Sequence, residues 1–154
     1  MLETPHVAVG AAIAMKIGSP VLSLPLSFLS HLLLEKVPHW NPHLNTEKKQ
    51  FGKVTKKSTL IVTADSFVAL GMGSYVALQK MPDLGATAIV FAACFLSVLP
   101  DVVEAPYFFL NTNDNPYMQR WIKFQKSLQV DTSPFWGILT QLLVTGTSLW
   151  WIFS

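Results

Sequence analysis

The sequence predicts an all-α integral membrane bundle of about four to five transmembrane or re-entrant helices, with one interfacial amphipathic helix. Three observations predict it. The composition is 51% hydrophobic and only 13% charged, with a mean hydropathy of +0.39, whereas a soluble domain of this size needs more charge to cover its surface. Long apolar runs are separated by short polar turns. Nine of the eleven basic residues fall in two segments, 36–58 and 111–133, as the positive-inside bias leads one to expect of cytoplasmic loops.

The chain of 154 residues reads as a single membrane domain without repeats or linkers. Residues 6–35 form a broken helical hairpin. His6 to Ile17 is a small-residue helix too short to span a bilayer, Gly18-Ser19-Pro20 breaks it, and Val21 to Leu34 follows. Gly10, Ala11 and Ala14 allow close packing. The first charge is Glu3, with no basic cluster before the apolar run, so the start does not read as a cleaved signal.

Residues 36–58 are a basic cytoplasmic loop with six lysines. Residues 59–79 make a span whose sole charge is Asp65. Lys80-Met81-Pro82-Asp83 is a tight turn on the far side, and 84–110 is the next span, running through Asp101 and Glu104. Residues 117–129 set Arg120, Lys123 and Lys126 against Trp121, Ile122 and Phe124, the pattern of an interfacial helix. Residues 134–153 form an uncharged last span, with Trp150 and Trp151 as an aromatic belt.

The modest net charge of +2 does not call for nucleic acid; the lipid bilayer is the expected partner. Cys94 is the single cysteine, which excludes an intrachain disulfide or a CxxC metal knuckle. Asn111 to Asn115 lacks the glycine and terminal glutamate of a calcium loop and is not read as one.

Chemistry is expected where the acids and imidazoles meet. With that orientation, His6, His31, Glu35, Asp65, Asp101 and Glu104 all fall toward the cytoplasmic leaflet. A carboxylate in hydrocarbon costs several kcal/mol unless paired, so these groups should turn toward one another. Lys36 is the one nearby cation in register, and a divalent ion would balance the charge. Mixed histidine and carboxylate ligation suits zinc, and also manganese or ferrous iron. The expected ligands are His31, Glu35, Asp65 and Asp101, with His6 as a fifth or alternative. Glu104 and His39 are the candidate general bases. His43, beyond Pro42, reads as loop.

His6-x3-Gly10, Ser30-His31-x3-Glu35 with Pro38-His39, and Leu99-Pro100-Asp101 together resemble the bacterial integral-membrane proteins known as predicted membrane-bound metal-dependent hydrolases. These are distantly similar to zinc-dependent phospholipase C and P1-type nucleases. The resemblance covers residues 5–105 and implies a metal-dependent hydrolase of the bacterial inner membrane acting on an amphiphilic phosphoester. Two departures stand out. There is no histidine after His43, where that family often carries a further histidine-rich motif, and Glu35 stands where aspartate is more usual. Either the metal set is smaller here or catalysis has been lost. A reading from another class is a non-catalytic ion- or proton-coupled carrier subunit, whose few short spans would require an oligomer.

Overall fold

In the computed structural model, which describes residues 1–112 and 114–154, the chain folds into seven helices with no strand among the described residues. They are α1 (Glu3–Ile17), α2 (Pro20–Leu34), α3 (Leu44–Phe51), α4 (Lys56–Leu78), α5 (Leu84–Phe109), α6 (Pro116–Leu128) and α7 (Pro134–Phe153). Two of them, α4 and α5, are long and apolar enough to cross a membrane. The loop from 111 to 115 contains Asn113, which lies outside the described residues.

The short α1 occupies the centre, in contact with α2, α4, α5 and α7. Its small side chains make this possible. Ala8, Ala11, Ala12 and Ala14 are all buried, and at Gly10 an added Cβ would lie 2.7 Å from the Ser97 Cβ and 2.9 Å from the Ala93 carbonyl of α5. Helix axes can approach this closely only where one partner has no side chain. Around α1, Val7, Val76, Val90, Ala93 and Ile152 complete the main apolar core.

The helix α2 is built inside out. Ser23, Ser27, Ser30 and His31 are buried, while Leu22, Leu26, Leu29 and Leu33 are exposed, Leu33 to 66%. Residues three and four apart share a face, so the polar stripe faces the bundle and the leucine stripe faces outward. On α7, Gln141 and Ser148 are likewise buried while Leu142 and Leu143 are exposed.

One element was not expected: α3 interrupts the 36–58 segment. It is short and polar, and α4 begins at Lys56 rather than residue 59. Glu47 joins the two helices. Its carboxylate accepts hydrogen bonds from Thr55 N at 2.8 Å, Ser58 Oγ at 2.6 Å and Thr55 Oγ1 at 3.2 Å. Burial works against ionisation of Glu47, but the bonds from Ser58 and Thr55 outweigh it and hold the carboxyl below its ordinary 4.5. The unfolded chain therefore takes up the proton first. This stabilisation is complete above about pH 4.5 and is lost as pH falls through the lower folded value. Glu47→Gln is expected to lower the melting temperature at neutral pH, and the deficit should shrink below about pH 4; an undiminished deficit at acid pH would show that the charge is not involved.

Candidate metal centre

The polar end of the bundle is assembled from both ends of the sequence. The N-terminus of α1, the C-terminus of α2, the first half of α4 and the second half of α5 meet there, and α6 lies against them. The first four bring one or two ionisable groups each, and α6 brings the neutral amide of Gln125.

His6 on α1, His31 on α2 and Asp101 on α5 form the centre. One ligand atom from each lies within 4.8 Å of the others. Both histidines are fully buried, and their rings stack with centroids 4.0 Å apart and an interplanar angle of 18°. His31 Nδ1 lies 2.8 Å from the Ser97 carbonyl oxygen. A carbonyl only accepts, so Nδ1 carries the proton, and in the neutral ring Nε2 is left as a lone pair. That lone pair faces Asp101 Oδ1 at 3.7 Å and Gln125 Oε1 at 3.2 Å, both acceptors. Holding the distal nitrogen through a backbone carbonyl is how metal-binding histidines are usually oriented.

His6 has the same character. Its Nε2 lies 3.3 Å from Glu35 Oε1, and its buried Nδ1 has no hydrogen-bond partner. Burial disfavours charge on Glu35, but the hydrogen bond from His6 and the nearby Met1 amino group hold its carboxyl below the usual range. An ionised Glu35 draws the proton to His6 Nε2 and frees Nδ1 as a lone pair. Two imidazole nitrogens and a carboxylate oxygen, converging with only the Gln125 amide donating to the carboxylate at 3.3 Å, fit a divalent ion.

The remaining expected ligands sit nearby in other roles. Glu35 is the C-cap of α2 and lies between His6 and His39. Glu35 keeps the register of α2, its N–H bonded to the His31 carbonyl at 3.1 Å, but its carboxylate goes to Met1, His6 and His39 instead of to the partners of His31. His39 Nδ1 donates to the Val37 carbonyl at 2.8 Å, and its Nε2 is 3.7 Å from Glu35 Oε2. Burial and the Met1 amino group lower its pKa, against the pull of Glu35. Its backbone pairs with Val130 and Thr132, so His39 braces Glu35 from behind.

Asp65 caps α1. Its carboxylate accepts from Glu3 N at 2.5 Å, Thr4 N at 3.3 Å and Thr4 Oγ1 at 2.6 Å. The first amides of a helix have no intrahelical partner. Leu2, at the N-cap position of α1, offers no side-chain bond, and a residue from α4 supplies the acceptor instead. Glu104 is buried on α5 and accepts from Gln125 Nε2 at 3.0 Å.

Three contributors escaped the sequence reading. Gln125 of α6 touches His31, Asp101 and Glu104 together. Glu3 has a buried oxygen, Oε2, without a partner. Gln141 of α7 accepts from Leu2 N and donates to the Trp40 carbonyl, both at 2.8 Å. Neutral amides in apolar helices carry little cost signal, and only their contacts distinguish them. Comparison with family models, curated proteins and solved structures finds no match to this chain.

Proposed function

We propose that this protein is an integral-membrane metal-dependent hydrolase that cleaves an amphiphilic phosphoester at the cytoplasmic leaflet of a bacterial inner membrane. The observation that carries the reading is the His6–His31–Asp101 group: one ligand atom from each lies within 4.8 Å of the others, both histidines are buried, and His6 Nδ1 has no hydrogen-bond partner. The leucine stripe of α2 and the two long apolar helices support a bilayer setting. In that setting α1, α2 and α7 complete a bundle of four to five spanning or re-entrant segments, with α6 lying in the interface.

In this reading His6, His31 and Asp101 hold the ion, zinc by preference, and Glu35 and His39 set the His6 tautomer. A bound divalent ion supplies Lewis acidity and a nucleophilic water near neutral pH. Glu104, joined to Asp101 through Gln125, would serve as the general base. The short resemblance in sequence to membrane-bound metal-dependent hydrolases points the same way, by analogy.

Metal analysis of detergent-purified protein tests the reading. Wild type is expected to retain a divalent ion. His31→Ala and Asp101→Ala are expected to lose it, with an affinity drop beyond the roughly 10–100-fold typical of an outer-shell partner. Unchanged metal content in both variants would remove the ligand assignment. Metal bound with no hydrolysis of vesicle-borne phosphoesters would leave a binding protein instead of an enzyme.

A further inference from the structure

Between α4 and α5 lies a cavity of about 790 Å³. It lies within the range of small-ligand sites, and its two ends differ in chemistry. One end is apolar, walled by Leu70 and Gly73 of α4 and by Phe91, Cys94 and Phe95 of α5. The other end reaches Glu3, Asp65, Asp101, Glu104 and Gln125, the face of the metal centre opposite His6 and His31. Phe91 and Glu104 are separated along α5 by about 20 Å at the helical rise, more than the roughly 15 Å depth of one leaflet's hydrocarbon.

The outer side of the cavity is open. Phe67, Leu70 and Phe95 along its edge are exposed, Phe67 to 69%, and in a bilayer they face acyl chains. At the polar mouth, Lys49 is exposed and makes no ion pair among the described residues, and beside it stand His43 and Lys126, the latter paired with Asp131 at 2.8 Å. The gradient thus runs from hydrocarbon-like walls, past a ring of carboxylates, to a basic rim.

We propose that this cleft seats one acyl chain of an anionic-headed amphiphile, which slides in sideways from the membrane between α4 and α5 and brings its head group to the metal centre. The assignment rests on the hydrolase reading for the placement of the head. The carboxylate ring repels an anion unless a cation intervenes, and the basic rim attracts one. The chain slot itself depends only on the walls. A wholly polar substrate would leave the apolar end of the cleft, between Leu70 and Phe95, unused.

Photo-crosslinking tests the slot. The probe is a single-chain glycerophosphate lipid carrying a diazirine near the end of its acyl chain, in vesicles with the full-length protein. Saturable cross-links are expected at Leu70, Phe91 and Phe95, competed by the unlabelled lipid. Ser74→Trp, which fills the deep end, should reduce them at least fivefold while leaving capture of a short-chain probe intact; that retention verifies folding. His31→Ala should lose metal yet keep the slot cross-links. Labelling spread over outward residues such as Leu22 and Leu142, without saturation, would overturn the slot even if zinc binds. Slot labelling in a protein that holds no metal would uphold the slot and overturn the metal centre alone.

Discussion

Gly137→Ala is expected to destabilise the protein by about 3 kcal/mol, at the upper end of the usual range for overpacking. Gly137 lies on the buried side of α7 against the segment that carries His39 and Trp40. An added Cβ would meet the Trp40 backbone nitrogen, with the Trp40 Cβ at 2.5 Å and the His39 carbonyl carbon at 2.8 Å. Two of these three atoms are main chain, so no rotamer change relieves the clash. Separating α7 from Trp40 would also stretch the bond from Gln141 to the Trp40 carbonyl. Gly146 on the same helix has nothing within 4 Å of an added Cβ, and Gly146→Ala should be neutral or stabilising by about 0.5–1 kcal/mol. Thermal unfolding of both variants in one detergent gives the comparison. Equal midpoints would mean that α7 does not pack on Trp40 as described.

Asp65→Ala is expected to cost about 2–3 kcal/mol, more than an ordinary N-cap loss, because three donors at the start of α1 lose their acceptor together. The helix dipole adds to the effect, since a carboxylate is favoured at that end. Asp65→Asn keeps one acceptor oxygen and should recover about half of the loss. Metal content separates capping from ligation. With Asp65 as a cap, the Asn variant holds as much metal as wild type. Should it lose metal as completely as His31→Ala, Asp65 belongs among the ligands.

These two sites show where the sequence was informative. The convergence of acids and imidazoles at one end of the bundle was legible from their positions along the helices, because burying charge in an apolar setting forces such groups together. His6, His31 and Asp101 meet on that account. Which partner each group finds was not legible. Asp65 serves the amides of α1 because Leu2 provides no cap of its own, a deficiency visible only once the helix start is fixed. Glu35 holds the helical register after His31, yet Met1, His6 and His39 claim its carboxylate while His31 turns to Ser97, Gln125 and Asp101, and those partners come from distant parts of the chain. The helix α3 escaped because eight residues of mixed polarity carry too few apolar positions to set a period. Gly10 was expected at a helix contact and is found at one, whereas Gly137, with the closer clash, was not singled out because it lies among large aromatic neighbours in the sequence.

The placement of α1 at the middle of the bundle bears on how the molecule is made. This helix leaves the ribosome before α4, α5 and α7, which then enclose it. Its fifteen residues are too few to span a bilayer of ordinary thickness without neighbours that shield its ends. Until α5 arrives, the group formed by His6, His31 and Asp101 lacks its third member. Assembly of the centre must therefore follow translation of α5, and a nascent chain stalled before it would hold two stacked imidazoles without their aspartate.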